Sequence, residues 1–257
     1  MGIPKDLLKQ NPCLFEWNIL SGYRGSIAHG MWTNPKTEAN SIDDKDIMTI
    51  CVPPIDYYFG IKEFGSRGTK EIKRDEWDIV TYEARKFISL LAVGNPNVLS
   101  LLWLDKKHYI DVTEAGQLII NNRQIFVGRH VYRSFTGYAY AQLHKMTHIA
   151  CEGYLGGKRK ELVNKYGFDT KNSAHLIRLL RMSIEFMKDG ELIVERPDAQ
   201  QLLEIKRGEW TLDQVKAESD RLFKVAEEAY LSSALPKSPD MEAVNRLCVD
   251  VVRMAQS

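Results

Sequence analysis

The chain has 257 residues, 44% hydrophobic and 27% charged, with a formal net charge of +1. That length allows one large or two modest domains, and no apolar run reaches the ~18–20 residues that span a bilayer. The start of the chain lacks the apolar core of a signal peptide, and Cys13, Cys51, Cys151 and Cys248 form no CxxC pair. Reduced, mostly buried thiols in a cytoplasmic protein are therefore expected.

In chain order, Trp17–Tyr23 reads as a short strand that runs into a turn at Gly25-Ser26, with one or two helical turns expected over 26–32. Thr33–Ser41 is a polar loop broken by Pro35. Asp46–Val52 is nearly continuously apolar, as in a strand buried on both faces, and Pro53-Pro54 ends it. Gly65-Ser-Arg-Gly68 is read as the tip of a loop or hairpin. Trp77–Tyr82 is a third strand. Phe87, Leu90 and Leu91 then recur at helical spacing, Asn95-Pro96-Asn97 stops that helix, and Val98–Leu104 is a second helical segment. From about Asp111 the pattern is mostly helical. Ser134–Ala150, Thr170–Lys188 and Met241–Met254 are predicted helices, and Gly190 stops the second. Lys158–Lys160 is read as a solvated loop, and Leu192–Glu195 as a short strand. Thr211-Leu-Asp-Gln214 fits a capping box that opens a helix reaching Ser232.

The small net charge hides an asymmetry. Glu38–Glu114 holds 14 acidic and 10 basic residues, whereas Asn121–Arg181 holds 11 basic and 3 acidic. An acidic segment beside a basic one suits a polyanionic substrate. The plain alternative is that the two patches pair with each other.

Chemistry concentrates near the N-terminus. Gly25 permits close backbone approach to a phosphate, and Ser26 offers a hydroxyl and an N–H at a helix start, where anions are favoured. Asp44 and Asp46 alternate with Lys45, so on a strand both face one way, as ligands for Mg²⁺ would. If the next strand pairs with this one, Asp78 completes a three-carboxylate cluster that makes sense only with cations. Two ions ~3.5–4 Å apart could clamp an attacking hydroxyl and a triphosphate. Each element alone is ordinary, since Asp-x-Asp is often a solvated turn and Gly-Ser turns are common; the order carries the signal. On the helix 170–188, Lys171, His175 and Arg178 share one face, suited to triphosphate or RNA phosphates, although such stripes are usually solvated. Arg24 is a further phosphate contact beside the turn. His144 and His148 have zinc spacing but no third ligand. Gly65–Gly68 lacks the Gly-Lys-Ser/Thr ending of a phosphate loop.

The order Gly-Ser, spacer, Asp-x-Asp and later carboxylate resembles the polymerase-beta-like nucleotidyltransferase superfamily. The match is closest to a bacterial and phage family that includes RNA-ligase-associated, RNA repair members. It is carried by Arg24–Gly30, Asp44–Asp46, Asp78–Phe87, Asn95–Leu99, Gly137–Gln142, Tyr166–Leu180 and Leu235-Pro236. The resemblance implies Gly25 and Ser26 as triphosphate contacts and Asp44, Asp46 and Asp78 as metal ligands. Seventeen residues separate Ser26 from Asp44, more than is usual for the superfamily, and Asp43 stands where Ser or Thr is usual. Asp43 is an alternative ligand to Asp44.

The expected fold is α+β: a small mixed-sheet, polymerase-beta-like palm domain over 1–115, then a mostly helical nucleotide- and acceptor-binding domain over 116–257. The expected activity is transfer of an NMP from an NTP, ATP among the candidates, to an acceptor hydroxyl with release of pyrophosphate. It would use two Mg²⁺ or Mn²⁺ ions. An RNA 3′ end, such as that of tRNA, is the favoured acceptor, in RNA repair. Two alternatives stay open: nucleotidylation of a protein side chain or small molecule, and a non-catalytic nucleotide-binding module. No membrane partner is expected, and the oligomeric state is open.

Overall fold

The computed structural model describes residues 3–34, 44–148 and 157–257. Asp43, Cys151 and most of the predicted loop 33–41 lie outside them. Five strands form one mixed sheet: β1 (Asn18–Tyr23), β2 (Lys45–Cys51), β3 (Thr69–Arg74), β4 (Trp77–Glu83) and β5 (Tyr109–Val112). Their order is β3-β4-β2-β1-β5. β2 and β4 run parallel, and the other neighbours are antiparallel. The helices are α1 (Lys5–Gln10), α2 (Gly25–Ala28), α3 (Asp56–Phe59), α4 (Ala84–Ala92), α5 (Pro96–Leu102), α6 (Glu114–Asn121), α7 (Val131–His148), α8 (Gly157–Tyr166), α9 (Thr170–Asp189), α10 (Ala199–Lys206), α11 (Leu212–Ser232) and α12 (Met241–Gln256). The architecture is α+β. None of the described helices is long and apolar enough to cross a membrane.

The described residues group into two compact units. The first lies within Met1–Ala28, Asp44–Val127 and Pro239–Ser257; the second within His29–Asp43 and Gly128–Ser238. The predicted boundary at 115/116 falls inside α6, which packs on β1 and β5 in the first unit. The chain also returns to that unit at its end. α12 packs on α4 and α6, and Gln256 Nε2 donates to the Pro53 carbonyl at 2.6 Å.

In the first unit, β2 and β4 are central, which explains their unbroken apolar runs. Ile47, Cys51, Trp77 and Ile79 pack with Ile3, Leu7 and Leu14. Asp46 and Asp78, each one residue out of phase, turn to the other face. α4 is capped by Glu83, whose carboxylate accepts from the backbone N–H of Arg85 and Lys86. In the second unit α9 is central and packs on α7, α10 and α11. Asp169 caps its start and Gly190, at φ 69°, ends it. The Thr211/Gln214 capping box opens α11 as predicted.

Several sequence expectations need correction. β3 and β5 were not anticipated. The hairpin tip lies at Asp75-Glu76, between β3 and β4, while Gly65–Gly68 is the turn before β3. Lys158–Lys160 belongs to α8 rather than a loop. Residues 192–195 form no strand; Leu192 and Val194 are buried, and the Val194 carbonyl meets a His29 ring nitrogen instead of a neighbouring strand.

Candidate functional site

In the first unit β2 and β4 pair in register, so Asp46 lies directly beside Asp78. The preceding pair, Lys45 and Trp77, faces the other way. There the Lys45 ammonium sits 4.6 Å from the Trp77 ring centre and 3.0 Å from Glu76. Paired strands are ~4.8 Å apart, and two full charges at that spacing repel by about 3 kcal/mol at an effective dielectric of 20. Arg24 offsets this repulsion. Its Nη2 lies 3.4 Å from Asp46 Oδ1 and 3.1 Å from Asp78 Oδ1. Lys73 Nζ is 3.5 Å from the other Asp78 oxygen. Arg24, Asp46 and Asp78 are all partly open to solvent. Asp44, the residue before β2, is exposed. Among the described residues no group of three or more His, Cys, Asp or Glu is assembled that could hold a metal ion. The structure thus brings Asp46 and Asp78 together and does not gather Asp44 with them into such a group.

The Gly25-Ser26 turn lies against this pair. The Arg24 backbone N–H donates to the Asp46 carbonyl at 2.9 Å, which brings the turn onto the start of β2. Gly25 has φ 63°, a left-handed conformation that L side chains adopt only with strain, and a Cβ there would collide with the Asp46 carboxylate. Glycine is required twice over. α2 is a single turn, so the expected helix-start field is small, and individual groups matter more. Ser26 Oγ is shielded from solvent and makes no hydrogen bond among the described residues. A buried hydroxyl without a partner is costly unless a ligand supplies one. Two adjacent carboxylates, an orphaned hydroxyl and a backbone held against them fit a divalent cation carrying a phosphate, because such ions take oxygen ligands and keep substrate phosphates in their shell.

The second unit holds the predicted basic stripe. Lys171 and His175 are half-buried, and Arg178 is buried, so the stripe enters the interior instead of lying solvated. Arg178 Nη1 reaches Met182 Sδ at 3.3 Å. Burial and the nearby Arg196 guanidinium push its pKa down, to about 9, while Asp198 opposes the shift; Arg178 stays charged at neutral pH. His29, only a few residues beyond the Gly-Ser turn, is buried here, with Nδ1 2.8 Å from the Val194 carbonyl. Burial, then Arg178, hold its pKa well below the usual histidine range. His29 lies within the Arg24–Gly30 segment. A lone histidine gives no sequence signal of its own; its place beside α9 needs the folded chain.

The glycine-serine turn, the mixed sheet and the aspartates on its central strands stand in the order on which the resemblance to polymerase-beta-like nucleotidyltransferases rests. The model of the RNA repair pathway DNA polymerase beta family matches residues 19–250. The chain belongs to that family. A nucleotidyltransferase-like protein from Exiguobacterium sibiricum 255-15 is a structural neighbour, with 9% sequence identity and a TM-score of 0.31 over 97% of this chain and 78% of that one. No curated protein matches the sequence.

Proposed function

We propose that the protein transfers a nucleoside monophosphate from an NTP to an acceptor hydroxyl, releasing pyrophosphate, and that the acceptor is an RNA 3′ end. The observation that carries this reading is the in-register pair Asp46–Asp78 set against Gly25-Ser26. Asp46 and Asp78, with Asp44 at the mouth of the strand, would hold Mg²⁺ or Mn²⁺. When bound, such an ion neutralises the triphosphate and polarises the phosphoryl oxygens.

The protein's own residues have three tasks in this reading. The Ser26 hydroxyl, buried without a partner among the described residues, and the backbone around Gly25, packed against the Asp46 carboxylate, take phosphate oxygens. Arg24, whose guanidinium is partly exposed and shared between two carboxylates, would turn to a phosphate when a cation is bound by them. Lys171, His175 and Arg178 are proposed as anion contacts in the second unit. Catalysis then comes from positioning and charge neutralisation. The RNA acceptor is favoured by the family description and by the basic segment 121–181.

The test is incubation of the full chain with Mg²⁺, each α-labelled NTP and an RNA pool. Labelled RNA with pyrophosphate release is the expected result. Label on protein or a small molecule, with RNA untouched, would overturn the acceptor. Thermal stabilisation by NTP without any turnover would overturn the enzyme reading.

A further inference from the structure

Among the described residues of the second unit, no carboxylate contacts the buried guanidinium of Arg178. Arg178 is 9% exposed, and among the described residues its one hydrogen bond goes to a thioether sulfur, a weak acceptor. Its neighbours are treated differently. Arg196 is held by Glu185 at 2.5 and 2.8 Å and by Asp198 at 2.8 Å. Arg181 is held by Asp198 at 2.6 Å and Glu218 at 3.2 Å, and Glu218 also binds Arg221. Among the described residues, Glu185, Asp198 and Glu218 are therefore committed elsewhere. A buried charge is retained at a cost unless something compensates it.

Two imidazoles belong to the same electrostatic neighbourhood, since His29 feels the charges of Arg178 and His175. His175 precedes Arg178 by three residues on α9, so both lie on one helix face. His29 is held nearby through its own carbonyl, which accepts from Arg196 N–H at 3.3 Å, and through its ring. Because a carbonyl only accepts, Nδ1 is the donor to Val194. In the neutral ring that leaves Nε2 as an acceptor, matched to the P–O–H of a monoprotonated phosphate. Guanidinium donors for the oxygens and an imidazole acceptor for the proton are what an inorganic phosphate group presents to be read.

We infer that Arg178, His175 and His29 form a buried anion site in the second unit that takes a phosphate group, with pyrophosphate as its ligand in the reaction proposed above. The choice of pyrophosphate rests on that reading. Phosphate binding rests on the buried guanidinium of Arg178, which no described carboxylate contacts.

The test is calorimetric titration of the metal-free full chain with inorganic pyrophosphate and with inorganic phosphate. Both bind the wild-type chain, Arg178→Met weakens pyrophosphate at least tenfold, and His29→Gln weakens it several-fold. Arg178→Lys, which keeps the charge, retains part of the affinity. If Arg178→Met does not fold, the side-chain Nε–H resonance of Arg178 in the wild-type protein, assigned with Arg178→Lys, must shift on adding pyrophosphate. No binding to the wild-type chain, no resonance shift, or equal binding by a folded Arg178→Met variant overturns the inference. Binding that depends on Arg178 in a protein without transferase activity would overturn the proposed function and leave this site standing. Transferase activity with pyrophosphate binding indifferent to Arg178 would do the reverse.

Discussion

Asp46 and Asp78 stand side by side on neighbouring strands and share one arginine, with all three side chains partly open to solvent. Arg196 is almost sealed from water and is gripped by Glu185 and Asp198 through short hydrogen bonds. In the first arrangement Arg24 is partly exposed and its contacts are 3.4 and 3.1 Å long, so it can give way to another cation at little cost. In the second the guanidinium is buried and held by contacts of 2.5 to 2.8 Å, so it is fixed. One region can respond to a ligand, and the other holds the frame of the second unit around Arg178.

Metal removal should break the comparison most sharply. Chelation is expected to lower nucleotidyl transfer by at least about 10³-fold, with Mn²⁺ restoring it, while circular dichroism stays unchanged because Arg24 and Lys73 balance the carboxylate pair. A loss of fold on chelation would contradict the exchangeable character of that pair. Next in size, Arg196→Met leaves Glu185 and Asp198 without their shared cation. The carboxylates left behind are partly exposed and Asp198 keeps Arg181, so the loss should be about 2–3 kcal/mol, measurable by urea denaturation. A change below about 1 kcal/mol would show that the pair is not structural.

Gly25→Ala sharpens the first region. The left-handed backbone and the collision with Asp46 together should cost about 1–2 kcal/mol and reduce transfer activity as well, read from kcat and from Tm. A neutral effect on both would remove the glycine from the site. The smallest effect concerns His29. Its folded pKa is held well below 6.5 by burial first and by Arg178 next, so near and below that pH the unfolded chain binds a proton that the folded protein refuses. The stability involved is complete above the unfolded pKa and is lost as pH falls through it toward the folded value. Tm should therefore fall between about pH 7.5 and 5.5, and His29→Gln should flatten that slope. An unchanged slope would mean that His29 is not the group responsible.

Much of the framework was legible because local signals agreed with tertiary structure. β2 and β4 announced themselves as apolar runs, α9 by its periodicity and terminal glycine, and α11 by its capping box. β3 and β5 were not legible because they are edge strands. Thr69–Arg74 is almost wholly polar and nowhere buried, and β5 has four residues, so neither carries the pattern of a packed strand. Asp78 was anticipated as a partner for the Asp-x-Asp strand on the condition that the strands pair, and they do, in register. Pairing alone explains the position of Asp46 beside it. Asp44 shows the limit of a spacing argument: a residue before the strand start is not constrained by the strand's alternation. The burial of Arg178 and the approach of His29 depend on contacts far apart in sequence, which no local pattern encodes.

The most direct test of the central claim is label transfer from an α-labelled NTP by the wild-type chain and by the double variant Asp46→Asn, Asp78→Asn under the same Mg²⁺ concentration. The account predicts transfer by the wild-type protein and its loss to background in a variant that folds normally, since both carboxylates are partly exposed and neither supports the core. Transfer by the double variant at the wild-type rate would contradict it.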